Sequence, residues 1–129
     1  ANSCTHNASH HPCNSIAMKL RHLEEALSEI STFTAPIAAL EQYPTSAHLA
    51  AAMLHTISST FDDLAGRSVL DLGCGGGILA LGSSLLGAEL VTGFDIDVAA
   101  LRIAAANAAA CGVDAEWVRM DVGEAAGAA

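Results

Sequence analysis

A glycine-rich segment directly after an apolar run carries the most evident capacity for chemistry in this sequence. Residues 69–77 are Val-Leu-Asp-Leu-Gly-Cys-Gly-Gly-Gly. Glycine lets the backbone turn sharply and lets a ligand lie against bare main chain, and a helix that begins there offers unpaired N–H groups to it. Because glycine clusters also form plain tight turns, the segment alone leaves a ligand-binding loop and a structural turn both open.

The order of the glycines discriminates between cofactors. A dinucleotide-binding loop has the pattern GxGxxG, but the sixth position counted from Gly73 is Ile78, whereas Gly73, Gly75 and Gly77 satisfy GxGxG. An acidic residue two positions before the first glycine, here Asp71, belongs to the S-adenosylmethionine version of this loop. The spacing therefore predicts S-adenosyl-L-methionine as cofactor and disfavours a nicotinamide-dependent oxidoreductase.

Two more carboxylates are predicted beside this loop. Asp95 follows Asp71 at the spacing where a βαβ unit places a carboxylate that accepts both ribose hydroxyls. Its alternative role, capping the next helix, suits Asp97 better. Asp121, followed by Val122, lies at the end of a third predicted strand, where a carboxylate can accept a hydrogen bond from an adenine amino group. Three strands are thus expected to end in an acidic residue at one edge of a sheet.

The elements that must position these residues alternate between short β-like runs and helical runs, which is typical of βαβ units on a parallel sheet. Strands are predicted at 68–72, 90–95 and 115–120, and helices at 77–86 and 98–110, the second ending at Gly112 in a left-handed cap. This is half of a doubly wound α/β fold. In such a fold the first strand is central, so we expect one side of it to be unpaired and the chain alone to be marginally stable.

The residues before the sheet divide into a tail and two helices. Residues 1–15 are polar and without apolar period, which predicts a disordered tail, and residues 16–129 form the partial domain. Apolar residues recur at helical spacing from Ile16 to Ile30, and a second helical run follows, with Thr45 or Ser46 as its N-cap. The tail's cysteines and histidines match no zinc spacing, so no metal site is expected.

Composition bounds the class of protein. The 129 residues are enough for one domain, whose core we expect to consist of Leu, Ile and Val packed against small-faced helices.

The formal charge of −9 has the wrong sign for a protein that binds nucleic acid alone, so an RNA substrate would need positive surface from further sequence or a partner. No apolar run approaches the roughly 20 residues that span a bilayer, and the cysteines suggest free thiols. We expect no membrane association and an intracellular location, in the nucleus, nucleolus or cytoplasm.

Three segments together resemble a known family. Residues 41–45 (Glu-Gln-Tyr-Pro-Thr), 71–75 (Asp-Leu-Gly-Cys-Gly) and 93–97 (Gly-Phe-Asp-Ile-Asp) are similar to the methyltransferase-like proteins that modify a single adenosine N6 in small-subunit ribosomal RNA. The resemblance runs from about Leu20 to Val122 and implies the N-terminal half of a class I, Rossmann-like methyltransferase fold. It also implies a small zinc-binding activator protein as partner, and ribosomal RNA as substrate of the full-length protein.

The resemblance also implies roles for individual residues. Gln42 and Thr45 would contact the methionine end of the cofactor, although turn and cap chemistry is the alternative for both. Gly73, Gly76 and Ile78 would line the loop beneath the cofactor. Asp95 would bind the ribose, and Asp121 with Val122 would hold the adenine.

The resemblance further implies a catalytic loop that is not in this sequence. The family uses an Asn/Asp-Pro-Pro-aromatic segment after the fourth strand, which accepts the amine hydrogens and stacks on the flipped-out base. The prolines here are Pro12, Pro36 and Pro44, none next to another. We therefore expect a fragment of an enzyme without catalytic residues of its own; the alternative is a non-catalytic cofactor-binding module or inactive truncated paralogue.

Overall fold

Three short parallel strands form the sheet of this protein, in a computed structural model that describes residues 18–30 and 44–123. They are β1 (Ser68–Leu72), β2 (Leu90–Asp95) and β3 (Glu116–Arg119), in the order β1-β2-β3. The sequence predicted the bounds of β1 and β2 correctly, while β3 is one residue shorter at each end than the predicted strand. Because parallel strands are joined by right-handed crossovers, the helices between them lie on one face of the sheet.

Four helices accompany the described strands: α1 (Leu20–Ser28), α2 (Ala47–Phe61), α3 (Ile78–Leu85) and α4 (Val98–Cys111). Helix α2 begins where the Ser46 hydroxyl accepts a hydrogen bond from the main chain, and α4 ends at Gly112 with a φ of 65°, as predicted. The prediction for the first helix was too long at both ends, since α1 ends at Ser28 and Ile30 is not helical. Met18 and Lys19 are not helical, and Lys19 is an extended N-cap.

The outer edge of β1 is unpaired within the part of the chain that the structure describes, as expected for half of a doubly wound sheet. Leu70 and Leu72 point to the face opposite α3 and are 65% and 62% exposed. Their neighbours Val69 and Asp71 point to the helical face and are half-buried. The helices therefore cover one face of the sheet. The other face is apolar at β1, and none of the described residues covers it there.

The buried core is built from leucine and alanine. A cluster of buried residues joins α1, α2 and the segment after α2, and consists of Leu23, Leu27, Ala50, Ala51, Leu54 and Leu64. Isoleucine shares this core at its margin, since Ile30, Ile57 and Ile78 are half-buried and pack against the cluster. Small alanine faces let the helices approach closely, and leucine fills the fully buried positions between them. Among the described helices, none is long and apolar enough to cross a membrane.

Candidate cofactor-binding site

The glycine loop, residues 73–77, turns sharply from β1 into α3 and is hydrogen-bonded to the end of β2. The main-chain N–H groups of Gly73 and Cys74 both donate to the carbonyl oxygen of Phe94, at 2.8 and 2.9 Å. Gly73, Gly75 and Gly77 have φ values of 77°, 54° and 86°. Since L side chains rarely adopt this left-handed region, the three glycines of the GxGxG pattern are the positions that need glycine.

The two ends of the loop have different surroundings. Around Gly73 a Cβ atom would meet nothing within 4 Å, so a ligand can approach the main chain there. A Cβ on Gly77 would instead lie 2.8 Å from the Trp117 ring and 3.1 Å from the Ala104 side chain. The loop thus rests on the indole of Trp117 at one end and is open at the other.

Asp71 is turned toward the helix that follows the loop. Its Oδ2 accepts a hydrogen bond from the N–H of Ala80, at 3.1 Å. Burial raises the pKa of the Asp71 carboxyl; the bond from Ala80 opposes this, and the negative charge of Asp95 adds to it. In the part of the chain that the structure describes, this hydrogen bond connects the end of β1 to the first turn of α3, on the two sides of the loop.

Asp95 connects β2 to the glycine loop. Its Oδ2 accepts from the N–H of Gly75 and its Oδ1 from the N–H of Asp97, both at 2.9 Å. Each carboxylate oxygen can accept a second hydrogen bond, so the group retains acceptor capacity for a ligand. Capping of α4 falls to Asp97, whose side chain accepts from Ala99 at 2.9 Å, as the sequence suggested.

Asp121 lies beyond β3 at the same edge of the sheet. The register is fixed next to it, because the Met120 N–H donates to the Asp95 carbonyl at 3.0 Å. Asp121 Oδ1 accepts from the Gly123 N–H at 2.9 Å, and Val122 is 38% exposed. The structure therefore brings Asp71, Asp95 and Asp121 together at the carboxyl ends of three neighbouring strands, where ligands of open α/β sheets bind.

The other predicted site residues are placed unequally. Gln42 lies outside the described residues, as do the tail positions considered for a metal. Thr45 is half-buried in the segment directly before α2, and Ser46 rather than Thr45 has the capping role. Ile78 is the first residue of α3, and its side chain packs against the leucine cluster. Contact of Ile78 with a cofactor stays a prediction.

Cys74 lies within the loop and is 7% exposed. Burial, with smaller contributions from the charges of Asp71 and Asp95, raises the pKa of its thiol to about 12. A thiol in this state is protonated at neutral pH and is a poor nucleophile. This environment is that of a small space-filling residue, and the free thiol agrees with the sequence-based expectation for the cysteines.

Sequence reasoning missed two residues behind the loop. The Asn107 side chain of α4 donates to the carbonyl oxygen of Gly76 at 2.9 Å, and the Trp117 ring lies where Cβ atoms on Gly77 and Gly93 would be. The signals were present, since Asn107 is the one polar residue between two runs of three alanines and Trp117 is the only tryptophan of the chain. Within residues 18–30 and 44–123, no group of three or more His, Cys, Asp or Glu side chains is arranged to hold a metal ion.

Comparison with known proteins identifies the family. The sequence profile of the family described as "Ribosomal protein L11 methyltransferase (PrmA)" matches residues 31–126, which include the glycine loop and all three carboxylates. The chain belongs to this methyltransferase family. The predicted resemblance to adenosine N6 methyltransferases is confirmed by a separate comparison. The rRNA N6-adenosine-methyltransferase METTL5 of Danio rerio is 51% identical over 90 residues, or 70% of this chain and 44% of that protein.

Solved structures confirm the Rossmann-like methyltransferase fold. A candidate RNA methyltransferase from Pyrococcus horikoshii superposes with a TM-score of 0.74 at 32% identity, over 81% of this chain and 52% of that one. The tRNA (uracil-54, C5)-methyltransferase of Pyrococcus abyssi, solved in complex with S-adenosyl-L-homocysteine, gives a TM-score of 0.51 at 25% identity, over 61% and 19%. This member of the methyltransferase family thus spans about half the length, or less, of the relatives that it matches.

Proposed function

We propose that this chain binds S-adenosyl-L-methionine and is the cofactor-binding half of a methyltransferase acting on adenosine N6 of ribosomal RNA. The observation that carries the proposal is the hydrogen bond between Asp95 and the main chain of Gly75, which joins a GxGxG loop to a carboxylate at the carboxyl edge of a parallel sheet. The 51% identity to a protein named as an rRNA N6-adenosine methyltransferase supports the choice of substrate.

The donor and acceptor groups at this edge fit the cofactor. The open space at Gly73 admits a ligand against the main chain, and Asp95 has acceptor capacity for two ribose hydroxyls. Asp121 would accept from the adenine amino group, with Val122 against the ring. Thr45, with Gln42, would contact the methionine end. When bound, the cofactor supplies a methyl group on a sulfonium, and the residues of this chain hold and orient it.

Transfer to RNA is proposed for the whole protein. The N6 lone pair of adenine is delocalised into its ring, so the transfer needs groups that accept the amine hydrogens and hold the base in line with the methyl group. With a net charge of −9, this chain also offers little attraction for phosphates. We propose that further sequence and a small zinc-binding activator protein supply these groups and the positive surface.

The decisive experiment is calorimetric titration of the purified chain with S-adenosyl-L-homocysteine, and with NAD as a competing cofactor class. We expect binding of the first only, and a loss of at least about tenfold in affinity for Asp95→Ala. Asp97→Asn is the matched control, because it removes a charge from the same turn while Asn can still cap α4. A folded wild type that binds neither compound would overturn the proposal.

A non-catalytic cofactor-binding module is the second candidate, because the contacts seen at the glycine loop and Asp95 bear on cofactor binding and not on methyl transfer. The two functions differ in one measurement. The assay measures transfer of a radiolabelled methyl group to ribosomal RNA by a protein of the relatives' full length, with the activator protein present. Labelled RNA would favour the enzyme. Cofactor binding without transfer by that protein would favour the module.

A further inference from the structure

Asn107 is an unusual residue at its place in α4. Residues 104–110 are Ala-Ala-Ala-Asn-Ala-Ala-Ala, and asparagine is a poorer helix former than alanine. Its side chain is not on the solvent side of the helix, since Asn107 is only 5% exposed. A buried amide is unfavourable unless it is hydrogen-bonded, so the reason for asparagine at this position must lie in what it contacts.

The contact is with the glycine loop. The Asn107 side-chain nitrogen donates to the carbonyl oxygen of Gly76 at 2.9 Å, across 31 positions of sequence. The same peptide unit is held at its other end, because the Gly77 N–H donates to the Cys74 carbonyl at 2.8 Å. As a peptide unit is planar, these two bonds together fix its orientation.

We propose that Asn107 is a positioning residue for the cofactor site, an inference that rests on the proposed function. A loop with glycine at four of its five positions from 73 to 77 has large conformational freedom, which a ligand must remove on binding. Asn107 removes part of that freedom in advance from the buried side, while Asp95 holds the Gly75 N–H from the ligand side. The site is thereby pre-organised by two side chains from different elements.

The test compares three variants of the chain. Asn107→Ala removes the donor, and Asn107→Leu removes it while keeping the branched outline of the side chain, at a larger volume, and improving helix propensity. Ser83→Ala is the matched control. Ser83 is 1% exposed, and its hydroxyl donates to the Leu79 carbonyl within α3, so this variant also loses a buried hydrogen bond, but one away from the loop.

Two measurements are made on each variant. In calorimetry we expect both Asn107 variants to bind S-adenosyl-L-homocysteine about fivefold to tenfold more weakly than wild type, and Ser83→Ala to bind as wild type does. In amide hydrogen exchange without ligand we expect faster exchange over residues 73–80 in the Asn107 variants only.

The outcomes separate this inference from the proposed function. Wild-type affinity in both Asn107 variants overturns the positioning role, as does unchanged hydrogen exchange over the loop. Weaker binding by Ser83→Ala to the same extent also overturns it, since general destabilisation would then account for the loss. A folded wild type that does not bind the ligand contradicts the proposed cofactor site, whereas faster loop exchange in the Asn107 variants still shows that Asn107 orders the loop.

Discussion

The carboxylate of Asp71 accepts a hydrogen bond from the main-chain N–H of Ala80, nine positions later. Ala80 is the third residue of α3, and the N-cap of that helix is Gly77, which has no side chain to accept from it. A residue at the end of β1 thus performs the capping that the helix cannot provide for itself. The contact links the first strand, the glycine loop and α3 in one unit.

This contact predicts a pH dependence of stability. Burial raises the pKa of Asp71 above its ordinary value of 3.8, against the opposing bond from Ala80 and with a contribution from Asp95. The folded state therefore binds the proton more tightly than the unfolded state does. The stabilisation from this protonation is complete below 3.8 and is lost as the pH rises through the raised pKa.

Asp71→Asn stays uncharged and keeps an oxygen that can accept from Ala80. We expect the free energy of unfolding of wild type, relative to this variant, to fall as the pH rises from 3.8 upward. Urea unfolding followed by circular dichroism at several pH values measures the difference. Asp114→Asn, at an exposed position, controls for the loss of one negative charge. A difference that does not change with pH would contradict the expectation.

A second prediction concerns Gly93 in β2, opposite Trp117 in β3. A Cβ on Gly93 would lie 2.5 Å from Cζ3 of the Trp117 ring and 2.9 Å from the Cys74 sulfur. Gly93→Ala should therefore destabilise the chain by about 1–3 kcal/mol, the usual cost of overpacking. Urea denaturation followed by circular dichroism measures it.

The clash itself is isolated by repeating the substitution in a Trp117→Leu background, where the ring is absent. Gly93→Ala should cost clearly less there, and the difference is the coupling energy of the pair. Equal costs in both backgrounds would show that the ring is not what makes glycine necessary at this position.

Local pattern predicted much of this fold. The bounds of β1 and β2, the left-handed glycine cap of α4 and the unpaired edge of β1 follow from runs of apolar residues, glycine and the alternation of strands with helices. The gathering of Asp71, Asp95 and Asp121 at one sheet edge also follows, because parallel strands have their carboxyl ends together.

Contacts between distant elements could not be predicted in this way. The bond from Asn107 to Gly76 spans 31 positions, and the motif around Asp71 does not indicate that its carboxylate accepts from Ala80. The marginal place of isoleucine in the core of the described residues was equally hidden, since hydropathy does not distinguish it from leucine. Side-chain partners are decided by packing, which the sequence pattern does not contain.

The thiol of Cys74 gives a third prediction. With its pKa raised from 9.0 to about 12, the thiolate fraction at pH 8 should be on the order of a thousandfold lower in the folded chain than in urea. Alkylation by iodoacetamide, followed by peptide mass spectrometry, should label Cys74 slowly in the native chain and rapidly in urea. The half-buried Cys111 serves as the internal control for reagent access. Native labelling of Cys74 as fast as in urea would contradict its buried environment.

The start of α2 offers a pair of neighbouring substitutions with opposite expected effects. The Ser46 hydroxyl accepts from the Leu49 N–H at 3.2 Å, so Ser46→Ala should lower the free energy of unfolding by about 1 kcal/mol and leave affinity for S-adenosyl-L-homocysteine unchanged.

Thr45→Val keeps the shape of a half-buried side chain that makes no cap, so we expect stability within about 0.5 kcal/mol of wild type. Its affinity should be reduced, because the proposed contact with the methionine end uses the hydroxyl. Calorimetry and urea unfolding on both variants check the two effects independently, and wild-type affinity in Thr45→Val would remove Thr45 from the site.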